Sequence, residues 1–213
     1  MSEALNTKLK RPMFIGLALA VIGIAVSIYS TMHHIEVKAS GQTDAACNIN
    51  DTFSCDSVAL SEYSEIFSIP LGVYGIGYFL ACLALIAMVL FLKSNIAANR
   101  QAYGVLTMIG LAVSLIFGTI SVTQIGAACL TCMLIYGLAV AQAILTIVNR
   151  KELFAEFKFP NLVNGGLNAV IVLSVAIIGY NMLAPTPGEQ STPKDTQNDE
   201  ADPARPKFSK ASY

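Results

Sequence analysis

The chain has 213 residues, of which 54% are hydrophobic and 13% are charged, and its mean hydropathy is +0.61. These values are typical of an integral membrane protein and not of a soluble domain. The net charge of -1 and the pI near 6.1 exclude the strongly basic surface with which proteins bind nucleic acid.

Five apolar segments are each long enough to cross a membrane, because a spanning helix needs about 20 mostly apolar residues. None of the five contains Asp, Glu, Lys or Arg. The first is interpreted as an anchor helix and not as a signal peptide, since its apolar core is too long and no small-residue cleavage site follows it. The sequence therefore predicts an all-α integral membrane protein with spans at residues 13–32, 70–92, 102–125, 129–148 and 162–183.

The distribution of Lys and Arg predicts the orientation of these spans. Basic residues collect before span one, between spans two and three, and between spans four and five, so these segments are expected in the cytoplasm. The loop of residues 33–69 has one Lys and six acidic residues and is expected outside. Residues 184–213, rich in Pro and polar residues, are predicted to form a disordered outer linker or tail after a transmembrane domain of residues 1–183.

Four of the five cysteines fall on the predicted outer side, where disulfides persist in bacteria and in the secretory lumen. Cys47 and Cys55 lie in the outer loop. Cys129 and Cys132 form a CxxC pair in the first turn of span four, where the helix N-terminus favours a thiolate and residues i and i+3 face each other. This pattern indicates a redox element. Cys82, about midway along span two, is interpreted as a small buried hydrophobe.

Two structural alternatives for these cysteines stay open. In the first, Cys47 and Cys55 form a disulfide that only staples the loop, and the CxxC pair is unrelated to it. In the second, the four thiolates bind zinc, although the seven residues between Cys47 and Cys55 exceed the usual spacing of paired zinc ligands.

Polar residues near the CxxC pair are candidates for binding a quinone. Tyr136, at i+4 from Cys132, offers a hydroxyl inside the membrane boundary, and the alternative is an interfacial anchor. Ser68, just before span two, offers a second hydroxyl or serves as a helix cap. His33 and His34, at the outer end of span one, are interpreted as exposed interfacial residues, with a proton relay as the alternative.

The outer loop also has a helical pattern after Cys55. Asp56 or Ser57 is the expected N-cap, and apolar residues recur at helical spacing at Ala59, Tyr63, Ile66 and Phe67. A short helix lying in the interface plane is therefore predicted, where it would cap a cavity beneath the thiols.

Three stretches taken together resemble the vitamin K epoxide reductase family in its bacterial form. They are CNINDTFSC in the outer loop, CDSVALSEYSEIFSIPLGVYG leading into span two, and CLTCMLIY opening span four. The resemblance covers the whole membrane region and implies that four of the five helices form a bundle around a quinone site. It also implies that Cys129 and Cys132 are the active-site pair, with Cys132 nearest the quinone. The remaining implied roles are a shuttle pair, Cys47 and Cys55, and quinone contacts from Tyr136 and, near the start of helix two, Ser68.

The resemblance further implies a metal-free membrane oxidoreductase. It would oxidise the dithiol of a thioredoxin-like or DsbA-like periplasmic partner through Cys47–Cys55 and then Cys129–Cys132. The electrons would pass to menaquinone or ubiquinone, so that exported proteins acquire disulfides. A mobile outer loop is expected, because the two pairs must meet. The implied location is the bacterial cytoplasmic membrane, with the N-terminus inside and the redox cysteines outside.

Bacterial members of this family often continue after the fifth helix into a thioredoxin-like domain, which this sequence lacks. That domain is expected either to be missing from a fragment or to act as a separate protein. Two rival functions remain open: a DsbB-type quinone reductase, whose CxxC pair comes in the first outer loop, and a non-enzymatic membrane anchor or complex subunit with a structural loop disulfide.

Overall fold

The computed structural model describes residues 7–41, 47–48, 53–155 and 158–183. The predicted disordered tail, residues 184–213, lies outside the described residues. The α-helices of the described part, in chain order, are α1 Thr7–Ser40, α2 Cys55–Leu60, α3 Leu71–Ala87, α4 Ile96–Ile120, α5 Leu130–Val148, α6 Arg150–Leu153 and α7 Phe159–Leu183. The helices α3 and α4 each end in a π-helical turn, at Met88–Leu92 and Ser121–Ile125. Two short antiparallel strands, β1 Glu65–Ile66 and β2 Ile69–Pro70, pair between α2 and α3.

The predicted five spans and the all-α membrane fold are confirmed. Within the residues that the structure describes, five helices are long and apolar enough to cross a membrane, over Leu9–Ser40, Leu71–Leu92, Ile96–Ile125, Leu130–Val148 and Phe159–Met182. The main difference is at α1, which continues eight residues past the predicted end of span one. Its 34 residues give a length of about 51 Å, well beyond the roughly 30 Å of bilayer hydrocarbon. The end of α1 can therefore stand clear of the apolar layer.

Four of the spanning helices form the bundle that the resemblance implied. The helix α1 packs against α3 and α5, and α4 packs against the same two helices, which closes a ring of four. The fifth span, α7, packs on the outside of this ring against α3 and α4. Large apolar side chains on α7 remain exposed, among them Leu167, Val175 and Met182. These side chains are placed to contact lipid.

The contact between α1 and α3 depends on glycine. A Cβ atom added at Gly23 would lie 2.5 Å from the ring of Phe79. One added at Gly72 would lie 3.0 Å from the backbone nitrogen of Thr31 and 3.1 Å from the carbonyl oxygen of Ser27. Because glycine has no Cβ, the two backbones approach closely at the start of α3.

The short helix predicted after Cys55 is present, but its bounds differ from the expected ones. The N-cap is Ser54 and not Asp56 or Ser57, and the Ser54 hydroxyl accepts a hydrogen bond from the backbone N–H of Ser57 at 3.2 Å. The helix is α2, and it ends at Leu60. A 3₁₀ turn, Glu62–Ser64, follows it.

The chain then reverses in a tight turn instead of continuing the helix through Ile66 and Phe67. Phe67 and Ser68 have φ values of 53° and 61°, in the left-handed region that ends helical structure. Pro70 also disfavours helical geometry at the residue before it. The segment from α2 to β2 forms a cap over the end of the bundle.

Candidate active site

The two cysteine pairs meet at the capped end of the bundle. Cys47 and Cys55 form a disulfide with their Cα atoms 5.8 Å apart, whereas Cys129 and Cys132 are free thiols. Cys47, Cys55 and Cys129 are buried together in one cluster, and the partly buried Cys132 packs against it. A single parallel β-bridge between Phe53 and Ala128 joins the two backbone segments. The pairs are thus in contact in the described conformation, without a further loop closure.

Cys129 has the better stabilised thiolate of the CxxC pair. It is the N-cap of α5, and its Sγ accepts a hydrogen bond from the backbone N–H of Cys132 at 3.3 Å. A hydrogen bond from the Cys132 thiol lowers the pKa of Cys129 to about 6, assisted by Thr131 and the backbone and opposed by burial. The thiolate, which is the species that attacks disulfides, is therefore favoured at Cys129.

Thr131 joins the two cysteine pairs through its hydroxyl. Its Oγ1 lies 3.1 Å from Cys129 Sγ and 3.5 Å from Cys55 Sγ, and the residue is buried. When Cys129 is a thiolate, the hydroxyl donates to it. The role of Thr131 was missed from the sequence, where the sole signal was a hydroxyl residue inside the CxxC pair.

A cavity of about 550 Å³, part of it open to the outside, lies beneath the cap. Cys55, Cys129, Cys132 and Tyr136 line it, together with apolar side chains from the ends of several helices, among them Phe117 and Ile120 of α4. Its lining, mostly apolar with a few polar groups, is typical of small-molecule sites. The structure thus brings five of the six predicted site residues to one place, since Cys47 is bonded to Cys55.

Ser68 is the predicted site residue that the structure does not bring to the cavity. It is exposed in the turn between β1 and β2 and is not among the cavity-lining residues. The buried residue Ser64 lines the cavity instead. The Ser64 hydroxyl donates to the carbonyl oxygen of Ser61 at 2.7 Å. The positive φ at Ser68 reverses the chain. The helical pattern that was predicted to extend to Phe67 did not indicate this reversal.

The prediction that His33 and His34 are exposed is wrong, because the cap folds over the extended end of α1. Their exposed fractions are 7% and 8%. His33 Nε2 lies 3.1 Å from Asp56 Oδ1, and His34 Nε2 lies 3.0 Å from Glu65 Oε1, with Lys38 Nζ 3.3 Å from the same oxygen. Burial alone would raise the pKa of Glu65, but hydrogen bonds with His34 and Lys38 outweigh it and lower that pKa.

The fifth cysteine lies apart from this site. Cys82 is fully buried in the apolar cluster at the other end of α3, near Leu85 and Ile86. The zinc alternative needs four thiolates, and in this state the bond between Cys47 and Cys55 leaves two of these four sulfur atoms as thiols.

Five apolar helices with two adjacent cysteine pairs define a multi-pass membrane protein with a redox site. The sequence profile of the vitamin K epoxide reductase family matches residues 14–147, more than half of the chain. The match runs from α1 through the cap to α5 and so contains the whole four-helix ring. The chain therefore belongs to the vitamin K epoxide reductase family and is a membrane oxidoreductase that uses cysteines. No curated protein matches it.

Proposed function

We propose that the protein is a quinone-linked thiol–disulfide oxidoreductase. It oxidises the dithiol of a thioredoxin-like or DsbA-like partner and passes the electrons through Cys47–Cys55 and Cys129–Cys132 to menaquinone or ubiquinone. Exported proteins then acquire disulfides from the oxidised partner. The observation that carries the proposal is the contact of Cys129 with the loop disulfide, at a cavity that Cys132 and Tyr136 also line.

The internal transfer is a thiol–disulfide exchange between neighbouring sulfur atoms. In the forward direction Cys55 attacks Cys129 of an oxidised CxxC pair, which forms a Cys55–Cys129 bond and releases Cys132 as a thiolate. Cys47 then attacks Cys55, which restores the loop disulfide and leaves Cys129 and Cys132 reduced. The described structure has the oxidation states that this transfer produces. Its direction follows the reduction potentials of the two pairs.

The quinone is the electron acceptor and would occupy the cavity next to the reduced CxxC pair. Re-forming the Cys129–Cys132 disulfide releases two electrons and two protons, which is what reduction of a quinone to a quinol consumes. The apolar wall suits a lipid-soluble ring, and the Tyr136 hydroxyl is a hydrogen-bond donor for a ring carbonyl.

The location proposed for this chemistry is the bacterial cytoplasmic membrane, with the N-terminus in the cytoplasm. Among the residues that the structure describes, all Lys and Arg except Lys38 lie in the segments at the other end of the bundle from the cysteines. The positive-inside rule therefore supports an outer, oxidising location for both cysteine pairs.

The test mixes purified protein with a reduced thioredoxin-like partner and a short-chain menaquinone or ubiquinone, and follows quinone absorbance. Cys132→Ala should abolish quinone reduction, because electrons leave through Cys132. Cys47→Ala should lose reduction by the protein partner and keep reduction by dithiothreitol, which reaches the CxxC pair directly. Cys82→Ala is the matched control and should retain both activities.

Two results would contradict the proposal at different points. Equal loss in Cys132→Ala and Cys47→Ala with both reductants would refute the order of the relay. No quinone reduction by folded wild-type protein would refute the activity and favour a non-enzymatic anchor whose loop disulfide is structural.

A further inference from the structure

We propose that His33 and Asp56 form an acid–base pair that carries the proton to and from Cys55 during exchange of the loop disulfide. The inference rests on the proposed function, because it assigns a proton carrier to the first step of that relay. His33 is then a catalytic residue, and Asp56 is the positioning residue that supports its charge.

The position of His33 is the first observation. One ring nitrogen of His33 and the sulfur atoms of Cys47 and Cys55 all lie within 4.8 Å of one another, and all three residues are buried. The Tyr29 ring, one turn earlier on α1, stacks on the imidazole with 6.4 Å between ring centroids and 5° between planes. His33 also lines the cavity that contains Cys129. The ring is therefore held beside the reacting sulfur atoms.

The position of Asp56 is the second observation. It follows Cys55 directly, is 6% exposed, and its Oδ1 lies 3.1 Å from His33 Nε2. The contact becomes an ion pair when the imidazole is protonated. The backbone N–H of Asp56 donates to Asn48 Oδ1 at 3.2 Å, which ties the carboxylate to the segment next to Cys47. A carboxylate this deeply buried is stabilised by a protonated imidazole.

The chemistry explains why a proton carrier is needed here. A partner thiolate that attacks Cys47 forms a new S–S bond and breaks the bond to Cys55, which leaves as a thiolate. Cys55 is 1% exposed and adjacent to Asp56, so its negative charge would be both desolvated and repelled. A proton from the His33 imidazolium neutralises it and leaves a neutral imidazole.

The next step returns that proton. Cys55 must attack Cys129 as a thiolate, so His33 takes the proton back as the Cys55–Cys129 bond forms and Cys132 is released. The two electrons pass from one cysteine pair to the other as the S–S bonds exchange. His33 again holds the proton that it donated. The second thiol of the partner releases Cys47 from the mixed disulfide, so the partner dithiol is the reductant and the CxxC disulfide is the oxidant, and no other redox group is required.

Several other titratable groups face the same space and must be separated from His33 in any pH measurement. In the described part of the chain the cavity-lining segments of α3 and α4 contribute none. The others are Tyr29 and His34 on α1, Asp56 on α2, Tyr63 in the 3₁₀ turn, Cys47 and Cys55 of the loop disulfide, and Cys129, Cys132 and Tyr136 on α5.

The test measures reduction of the loop disulfide by dithiothreitol between pH 5.5 and 8.5, with alkylation and a gel shift as the readout. A background of Cys129→Ala with Cys132→Ala leaves the loop disulfide as the redox pair and removes the CxxC titration. His33→Gln should slow reduction about a hundredfold near pH 6, at the low end of acid–base contributions. The deficit should shrink as the pH rises, because the proposed proton donor is the protonated imidazole.

Two variants separate proton transfer from packing. His34→Gln is the matched control, since His34 is an equally buried histidine paired with a carboxylate, and it should keep the wild-type slope with pH. Asp56→Asn should reproduce part of the His33→Gln deficit near pH 6. In His33→Ala, added imidazole should restore the rate near pH 6.

A His33→Gln profile that runs parallel to wild type at every pH, with no rescue by imidazole, would overturn the proposal. The assay uses neither quinone nor a protein partner. The pH-dependent deficit without quinone reduction would therefore refute the proposed function alone, and quinone reduction with parallel profiles would refute the acid–base pair alone.

Discussion

Replacing Thr131 with Val should raise the pKa of Cys129 and so weaken the nucleophile of the CxxC pair. Valine keeps the shape of threonine but removes the hydroxyl that lies 3.1 Å from Cys129 Sγ. A hydrogen bond to a charged group contributes about 1.5–3 kcal/mol, and one pKa unit corresponds to about 1.4 kcal/mol. Because the hydrogen bonds from Cys132 remain and Thr131 also contacts Cys55, the lower figure applies. The pKa of about 6 should therefore rise to about 7.

The rate at which iodoacetamide alkylates Cys129 measures this change. At pH 6 the thiolate fraction should fall from about one half to about one tenth, so the rate should fall about fivefold. Each variant is normalised to its own rate at pH 9, where the thiolate predominates in both, so that changes in access to the cavity cancel. Fragment-ion mass spectrometry distinguishes alkylation of Cys129 from alkylation of Cys132.

Thr131→Ser is the control, because it keeps a hydroxyl at the same position and should keep the wild-type midpoint. If Thr131→Val alkylates with the midpoint of wild type, the hydroxyl does not stabilise the thiolate, and the bridge between Cys55 and Cys129 is a packing contact.

Two further predictions concern the cap and the α1–α3 contact. Gly72→Val should lower the stability by about 1–3 kcal/mol through overpacking against Thr31, measured by thermal unfolding in detergent. Gly166→Val, at a site with open space around the Cβ position, is the control. The lowered pKa of Glu65 stabilises the capped state at pH values above its ordinary 4.5, and this stabilisation is lost as pH falls through the lower folded value. Glu65→Gln should therefore weaken protection of the cap from proteolysis at pH 7, by less than about 1 kcal/mol, and match wild type near pH 3.

The sequence predicted the features that depend on local composition. Uninterrupted apolar stretches give the five spans, and the position of Cys129 at the start of one of them gives a helix N-terminus beside a thiol. The order of the cysteines around the spans indicates the protein family. The first two signals each lie within about 20 neighbouring residues, the length of one spanning helix, whereas the cysteine order extends from Cys47 to Cys132.

The features that the sequence did not predict depend on distant parts of the chain. His33 follows the apolar stretch of span one, so hydropathy places it at the interface, yet the cap covers it with Asp56. Thr131 contacts Cys55 from a position 76 residues away in the chain. Ser68 was chosen for its position at the start of span two, but the backbone turns there with positive φ, and Ser64 lines the cavity instead. Tertiary packing decides all three.

The burial of the loop disulfide separates the two exchange reactions in space and time. Cys47 is 5% exposed in the described conformation, so a partner protein cannot bring its thiolate in line with this sulfur while the cap is closed. The same closed cap places Cys55 next to Thr131 and Cys129. In the proposed relay, exchange with the partner therefore requires Cys47 to become exposed while Cys55 stays beside His33 on α1, whereas internal transfer requires Cys55 to stay beside Cys129. The contact of Glu65 with His34 and Lys38 fastens the cap to α1 and would hold Cys55 beside His33 while Cys47 is attacked. Such a relay would pass electrons from the partner to the CxxC pair through the loop disulfide and not directly.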